Sequence, residues 1–319
     1  MGQSDEMPNE PRLAYLGAEE CAFEVYRGRS VFRPSSLVMS DGMPVTVIEA
    51  GRPGSPTVLL VNALGTSCLL VSEIARRLAD EYHVISWESR CLPDARPASI
   101  DADLSVARHA ADAAEVLAHK GASVHAVVSY CSGINVAAYA LAKGVLSAQR
   151  LCIISPSIDL TSASSQTEYQ RTMMPLWRSV AKSGIRHAAL VRVLLQQGQK
   201  PENGTVDYEL STLNNLPFRT DESTYLYARL QAACLEIWWD ELLQEVRIPT
   251  LVLHGLQDDL IHMATPQALA RAIAGAAVHT VDAGHFAVYT SKALHAEVAD
   301  FLSRVHAKPM DQPEIKTRS

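Results

Sequence analysis

Residues 122–144 read Ala122-Ser-Val-His-Ala-Val-Val-Ser-Tyr-Cys-Ser-Gly-Ile-Asn-Val-Ala-Ala-Tyr-Ala-Leu-Ala-Lys-Gly144. The part from Val124 to Val128 is β-branched and apolar, which predicts a strand buried on both faces of a sheet. The part from Asn135 to Ala142 is rich in alanine and predicts a helix. The chain must therefore turn from a strand into a helix within residues 129–133.

This turn favours one residue at its tip. A strand that reverses so sharply needs small side chains two positions before and two positions after the tip. Cys131 at the tip has Ser129 and Gly133 at those positions, whereas Ser132 at the tip would have two bulky residues there. We therefore predict Cys131 at the carboxyl end of the strand, next to the amides of a helix N-terminus, which stabilise a thiolate. The alternative is a buried core cysteine without chemistry.

The composition predicts a globular protein with one large α/β domain and an insertion, or with two small domains. The chain has 319 residues, 48% of them hydrophobic, and no apolar run approaches the roughly 18–20 residues of a membrane span. A formal charge of −7 argues against a nucleic-acid or anionic-membrane partner. The acidic, polar N-terminus is unlike a signal peptide, so we expect a cytoplasmic protein.

The cysteines indicate neither a disulfide framework nor a metal site. They show no CxxC pairs and no spacing interleaved with histidines, so we expect no metal and no other cofactor. The six are Cys21, Cys68, Cys91, Cys131, Cys152 and Cys234.

Strand-like and helix-like segments alternate on both sides of the turn. This alternation predicts right-handed βαβ crossovers and a parallel sheet covered by helices on both faces. Residues 13–40 could add an edge strand or a short helix. The other predicted strands are 44–51, 57–61, 82–87, 150–155, 248–254 and 277–281, and the other predicted helices are 69–81, 105–120, 266–274 and 292–306.

The alternation stops between residues 158 and 243, where the chain becomes helix-like. We predict that this segment is a helical cap inserted after the sixth strand of one sheet, and that 13–157 and 244–306 form the core. The polar, proline-marked ends, 1–12 and 307–319, are expected to be mobile. The cap aromatics suggest an apolar acyl pocket, although such aromatics commonly form the core of an insertion. They include Trp177, Tyr225, Tyr227, Trp238 and Trp239.

Two later segments accompany the turn at Cys131. One predicted strand ends in His254-Gly255-Leu256-Gln257-Asp258-Asp259, and the last one is followed by Ala283-Gly284-His285-Phe286. In order and position, the three segments resemble the nucleophile elbow, the HGxxD signature and the histidine loop of the α/β-hydrolase superfamily. The resemblance covers roughly residues 40–306, with the cap unmatched. It implies the α/β-hydrolase fold, with a mostly parallel central sheet flanked by helices.

The resemblance also implies a catalytic triad. Cys131 would be the nucleophile, His285 the base and Asp258 the acid, with Asp259 as the alternative acid. A glycine before the histidine, Gly284, is expected to let the backbone turn tightly.

The implied oxyanion hole uses two backbone amides. One is the amide of Ser132, directly after the nucleophile. The second comes from the loop Asn62-Ala63-Leu64-Gly65, where relatives commonly have His-Gly, and we assign it to Leu64 or else to Ala63. Asn62 and Tyr130 are predicted to border the substrate pocket together with Trp177, Trp238 and Trp239. Arg90 stands where the family commonly has a structural arginine, and we expect the same role here.

A cysteine nucleophile narrows the predicted reaction, because an acyl-cysteine is itself a thioester and keeps its acyl group activated. We predict a thioesterase or acyltransferase that acts on a small-molecule, CoA-bound or carrier-protein-bound thioester or ester. The elbow is similar to that of dienelactone hydrolases and polyhydroxyalkanoate synthases, although neither matches the whole chain. Alternatives are a dienelactone-hydrolase-like ester or lactone hydrolase and a non-catalytic binding protein of this fold. The oligomeric state is left open.

Overall fold

The strands of the protein lie in one sheet. The computed structural model describes residues 31–90, 102–198 and 208–304. In these ranges the strands are β1 (Arg33–Val38), β2 (Pro44–Ala50), β3 (Thr57–Val61), β4 (His83–Trp87), β5 (Val124–Tyr130), β6 (Arg150–Ile154), β7 (Thr250–Gly255) and β8 (Ala277–Val281). Their order across the sheet is β1-β2-β4-β3-β5-β6-β7-β8. The β1–β2 and β2–β4 pairs are antiparallel, and all later pairs are parallel.

The central strands are apolar on both faces because each face is covered. Every residue of β3 and β6 is buried. Neighbouring residues of β5 enter different cores, with Val128 in the core on one face and Val127 in the core on the other. Burying such a side chain contributes about 1.5–3 kcal/mol. The strand before the turn is therefore fixed by hydrophobic burial on both sides.

Helices cover the two faces of the sheet. None in the described ranges is long and apolar enough to cross a membrane. The α-helices are α1 (Ser72–Leu78), α2 (Val106–His119), α3 (Gly133–Ala142), α4 (Glu168–Ser183), α5 (Ile185–Gly198), α6 (Tyr208–Asn215), α7 (Asp221–Cys234), α8 (Trp239–Leu242), α9 (Ala264–Ala272), α10 (Ala287–Thr290) and α11 (Lys292–Ser303). Short 3-10 helices span Cys68–Val71, Leu216–Phe218 and Leu243–Glu245.

The helices between β6 and β7 form the insertion. Part of this insertion has its own small core, in which Trp177 of α4 packs against Val191 of α5 and Ala228 of α7. The Trp177 ring stacks on Phe218 at 5.7 Å and meets Tyr227 edge-on at 5.0 Å. A mostly parallel sheet with flanking helices and a helical insertion after the sixth strand confirms the predicted fold.

Several predicted boundaries differ from the structure. The predicted helix 69–81 is divided into the 3-10 turn at Cys68–Val71, where the Ser67 hydroxyl accepts from the Leu69 amide, and α1. Helix α3 begins two residues earlier than predicted, directly after the turn. The predicted mobile ends, most of the 13–40 segment and two cysteines, Cys21 and Cys91, lie outside the described residues.

Arg90 is the centre of a buried ion network, as the sequence suggests for a structural arginine. Its side chain is 1% exposed and makes two hydrogen bonds to the fully buried Asp112, at 2.5 and 2.7 Å. It also pairs with Asp41, while Arg108 contacts the same Asp112 carboxylate at 2.8 Å. The preceding Ser89 accepts from the Gly65 amide at 2.9 Å. The ion network therefore fixes the segment after β4 against α2, and the Ser89 hydrogen bond fixes it against the loop after β3.

We predict that Asp112→Asn lowers the free energy of unfolding by about 3–5 kcal/mol, because a buried arginine loses a charged partner. Urea denaturation measures this change. The control is Asp300→Asn, which removes an exposed carboxylate that pairs with Arg304 on the surface and should leave stability within error. Equal stability of Asp112→Asn and the wild type would contradict the role assigned to the network.

Candidate active site

Cys131 occupies the turn between β5 and α3 in an unusual backbone conformation. Its φ is +50°, in the left-handed region that non-glycine residues rarely adopt. Two hydrogen bonds fix it there: its amide donates to the Ile154 carbonyl at 3.0 Å, and its carbonyl accepts from the Ser157 amide at 3.1 Å. Backbone strain of this kind costs about 1–3 kcal/mol and persists only where surrounding contacts impose it. The neighbouring strand β6 therefore helps to hold the turn.

The residue two positions after Cys131 has no room for a side chain. A Cβ on Gly133 would lie 2.4 Å from the Val61 carbonyl oxygen and 2.5 Å from that of Asn62. Ser129, two positions before Cys131, is fully buried. The close approach of α3 to the end of β3 is thus the physical reason for the small residue after the turn.

The structure brings Asp258 to His285. Their Oδ2 and Nδ1 atoms are 2.9 Å apart, and the other carboxylate oxygen accepts from the Leu260 and Ile261 amides at 3.0 and 2.9 Å. Gly255 permits this because a Cβ there would lie 2.2 Å from the Ala283 carbonyl oxygen, so the two loops meet at backbone distance. The alternative acid, Asp259, is exposed at the surface.

Gly284 differs from its predicted role. It has no left-handed φ, and a Cβ there would meet only the Gln257 carbonyl oxygen, at 3.6 Å. That separation is an ordinary contact. The turn before His285 therefore does not require glycine.

Electrostatic interactions connect the side chains of Cys131, His285 and Asp258. Burial opposes a charged His285 ring, but its interactions with the Cys131 thiol and with Asp258 outweigh burial and raise the pKa of His285. Burial would raise the pKa of Asp258, but the hydrogen bond and the charge of His285 hold it below its ordinary value. The arrangement therefore favours the imidazolium form of His285 and the carboxylate form of Asp258.

Cys131 differs from the other cysteines that the structure describes. It is partly exposed, whereas Cys68, Cys152 and Cys234 are buried. Burial raises the pKa of all three buried thiols, that of Cys234 to about 12. Since the thiolate is the reactive form of cysteine, chemistry with an added electrophile should concentrate at Cys131.

The predicted oxyanion donors have different environments. Ser132 precedes the first residue of α3, and within the described chain its amide donates to no acceptor. The Leu64 amide lies close by but donates to the Ser132 hydroxyl oxygen at 2.9 Å. Ala63 borders the same space. The loop after β3 therefore lies beside Cys131, but its predicted donor already has an acceptor.

A narrow cavity opens beside Cys131. Its volume is about 60 Å³. The α/β core contributes Ala63, Leu64, Thr66, Leu70, Tyr130, Cys131, Ser132, Ser157, Leu260, Ile261, His285 and Phe286. The insertion contributes Tyr169, Met173, Met174, Trp177, Asn214, Tyr227 and Gln231.

The structure places only some of the predicted pocket residues at this cavity. Tyr130 and Trp177 border it, but Asn62 turns its amide toward the Thr66 and Ser67 carbonyls, at 3.0 and 2.8 Å, and shapes the loop. Trp238 is 77% exposed at the surface. Trp239 is buried elsewhere, with its indole donating to the Cys234 carbonyl at 2.9 Å.

Sequence reasoning missed several polar residues at the cavity. Tyr169, Asn214 and Gln231 come from separate helices of the insertion and belong to no motif. The Gln231 amide donates to the Leu64 carbonyl at 3.2 Å and joins α7 to the loop after β3. No group of His, Cys, Asp and Glu in the described segments could hold a metal ion.

Comparisons with known proteins agree with this architecture. A family model described as alpha/beta hydrolase fold matches residues 56–292, more than half of the chain. No curated protein matches the sequence. The thermophilic esterase from Thermogutta terrifontis shares 17% identity with this chain and superposes with a TM-score of 0.66, over 85% of this chain and 98% of that one.

Two further solved structures are similar at 19% identity. The enol-lactonase from Burkholderia xenovorans has a TM-score of 0.65, over 85% of this chain and 100% of that one. The haloalkane dehalogenase from Bradyrhizobium elkani has a TM-score of 0.66, over 85% of this chain and 97% of that one. At such low identity, the likeness extends to the fold alone.

We predict that Gly133→Ala destabilises the protein by about 1–3 kcal/mol or more, because the new Cβ must displace backbone atoms. Chemical denaturation measures the change in the free energy of unfolding, and the rate of Cys131 alkylation by iodoacetamide measures the change at the turn. Gly284→Ala is the control, since its Cβ has room, and both readouts should stay near the wild-type values. A Gly133→Ala variant that behaves like Gly284→Ala would contradict the packing described for the turn.

We also predict that Cys131→Ala lowers the pKa of His285, because the interaction with the thiol that raises it is lost. Nuclear magnetic resonance of the histidine ring nitrogens measures the titration. Cys152→Ala, which removes a buried thiol on β6, should leave the pKa of His285 unchanged. Because the pKa of His285 is raised in the folded protein, protonation of His285 adds to the free energy of unfolding. This contribution is complete below the pKa that His285 has in the unfolded chain, and it disappears as the pH rises through the pKa of His285 in the folded protein. An unchanged titration in Cys131→Ala would contradict the coupling.

Proposed function

The chain belongs to the α/β-hydrolase fold family, and on that premise we propose that it is a cysteine-dependent acyl-transfer enzyme acting on a compact thioester or ester. The observation that carries the proposal is that a partly exposed Cys131 interacts with His285 and raises its pKa. The Nδ1 atom of the same histidine lies 2.9 Å from Asp258 Oδ2. Nucleophile, base and orienting carboxylate are the three parts that acyl transfer through a covalent intermediate requires.

In the proposed reaction, the proton of the Cys131 thiol resides on His285 and the sulfur attacks the acyl carbonyl carbon. The carbonyl π electrons move to oxygen and form a tetrahedral oxyanion. Collapse of this intermediate restores the carbonyl and breaks the bond to the leaving thiol or alcohol, which takes the proton from His285. Cys131 then carries the acyl group as a thioester.

The second half of the reaction repeats these steps with an acceptor. Water, an amine, a hydroxyl or another thiol gives a proton to His285 and attacks the acyl-cysteine, and the cysteine leaves. Asp258 accepts a hydrogen bond from the His285 ring throughout and stabilises each imidazolium. With water the protein is a thioesterase or esterase, and with another acceptor it is an acyltransferase.

Two features support an electrostatically prepared site. Among the described residues, no acceptor takes the proton of the Ser132 amide, and the proposed oxyanion would form beside this amide, directly after the nucleophile. The ten-residue helix α3 directs the positive end of its dipole toward the same point. Donors fixed in advance in this way lower the barrier because they need no reorganisation during the reaction.

The cavity favours a compact acyl group. Its free space near Cys131 is small, and aromatic and methionine side chains of the insertion close one side of it. Polar groups of Tyr169, Asn214 and Gln231 stand among these apolar walls. We therefore expect short acyl chains, delivered as a CoA thioester, a carrier-protein thioester or a simple ester, to react faster than long ones.

We predict that intact-mass spectrometry detects an acyl adduct on wild-type protein after mixing with p-nitrophenyl acetate or acetyl-CoA. Cys131→Ala should give no adduct and should lose at least about 10³-fold in turnover, because the nucleophile is gone. The matched control is Cys234→Ala, which removes a buried thiol of α7 and should react like the wild type. Adding an amine to the acylated protein separates transfer from hydrolysis.

Other outcomes would contradict the proposal. Turnover that persists in Cys131→Ala rules out a cysteine nucleophile. Turnover of lactones and simple esters without any reaction of thioesters favours the lactone-hydrolase alternative. If no substrate forms an adduct, and iodoacetamide labels Cys131 no faster than the other cysteines, the protein is a binding protein of this fold.

A further inference from the structure

Both backbone polar groups of Leu64, the amide and the carbonyl, form hydrogen bonds to side chains. Its amide donates to the Ser132 hydroxyl oxygen at 2.9 Å, and its carbonyl accepts from the Gln231 side chain at 3.2 Å. The next amide, that of Gly65, donates to the Ser89 hydroxyl at 2.9 Å. The side chains in these contacts are at least nine-tenths buried. The Leu64 amide therefore cannot turn toward an oxyanion without loss of several buried hydrogen bonds.

The Ser132 hydroxyl has a proton to give. A hydroxyl has one donor and two acceptor sites, and here one acceptor site receives the Leu64 amide. Within the described chain, no acceptor takes the hydroxyl proton. Ser132 borders the same cavity as Cys131 and His285. The proton is thus available to an oxygen atom in the cavity next to the nucleophile.

Other hydroxyls near the loop after β3 already donate their protons to acceptors in the protein. The Thr66 hydroxyl donates to the Ala63 carbonyl at 2.9 Å, and the Ser67 hydroxyl donates to Glu88 at 3.0 Å. Ser157 also borders the cavity, but no backbone amide orients its hydroxyl in the described structure. Among these hydroxyls, that of Ser132 combines a fixed position with a free proton.

We propose that the Ser132 hydroxyl is the second donor to the oxyanion and that the Leu64 amide positions it. Ser132 then supplies two hydrogen bonds, one from its backbone amide and one from its side chain. The hydrogen bond from Leu64 polarises the hydroxyl and strengthens its donation, since hydrogen bonds in a chain reinforce one another. This inference rests on the proposed acyl-transfer function and changes the identity of the second donor predicted from sequence.

The test compares two reactions of Cys131. Acylation by p-nitrophenyl acetate, measured as single-turnover release of p-nitrophenol with Cys131→Ala as the blank, forms an oxyanion. Alkylation by iodoacetamide, measured by intact mass, forms none. We expect Ser132→Ala to slow acylation by roughly 10²–10³-fold, the usual effect of losing one oxyanion donor, and to change alkylation by less than about twofold. Ser132→Thr keeps a hydroxyl and should recover most of the acylation rate.

Ser72→Ala is the matched control, because it removes a buried serine hydroxyl at the start of α1, outside the cavity, and both of its rates should stay at wild-type values. If the Ser132→Ala variant is acylated as fast as the wild type, or faster, the inference is wrong but the proposed function is not affected. The second donor would then be the Leu64 amide. Loss of acylation and alkylation together would also overturn it, because Ser132 would then only hold the turn. A wild type that is alkylated by iodoacetamide but acylated by no substrate would overturn the proposed function itself, and the inference with it.

Discussion

The contact between the start of α3 and the end of β3 determines the arrangement of the site. Gly133 lies against the Val61 and Asn62 carbonyls without space for a Cβ. That approach holds the turn of Cys131 beside the loop after β3 and places Ser132 within hydrogen-bonding distance of the Leu64 amide. Cys131 and the proposed oxyanion donors are therefore positioned by one backbone contact and not by independent loops.

A second backbone contact does the same for Asp258 and His285. Gly255 lies against the Ala283 carbonyl. The loop after β7 therefore places Asp258 within hydrogen-bonding distance of His285, which follows β8. The Asp258 carboxylate is buried but not isolated, because one oxygen accepts two backbone amides and the other accepts the His285 ring. A buried charge without such partners would be too costly to retain. The buried Asp258 charge is thus balanced by hydrogen-bond donors from three residues.

Much of this arrangement could be predicted from sequence because its signals are local. The turn at Cys131 follows from the sizes of residues within two positions, and the strands of the sheet from continuous apolar runs. The loops of Asp258 and His285 were found through short segments at the ends of strands. In each case, neighbours along the chain carry most of the information.

The cavity walls could not be predicted in the same way. Trp238 and Trp239 are adjacent in sequence, yet one is exposed and the other is buried away from the cavity, because helix packing decides which side of the segment turns inward. The acceptor of the Leu64 amide is a side chain 68 positions away. The requirement for glycine was predicted correctly after Cys131 but not before His285, since only the folded backbone shows where a Cβ would collide.

The hydrogen bond from Gln231 to the Leu64 carbonyl has an evolutionary consequence. In the proposed enzyme, the helix that borders the substrate cavity, α7, also holds the Leu64 carbonyl beside Cys131. A substitution that reshapes α7 for a different acyl group therefore displaces part of the catalytic apparatus as well. Divergence to new substrates in this lineage would pass through slow intermediates, unless a compensating change re-anchors the loop, and mutations in the two segments should show epistasis.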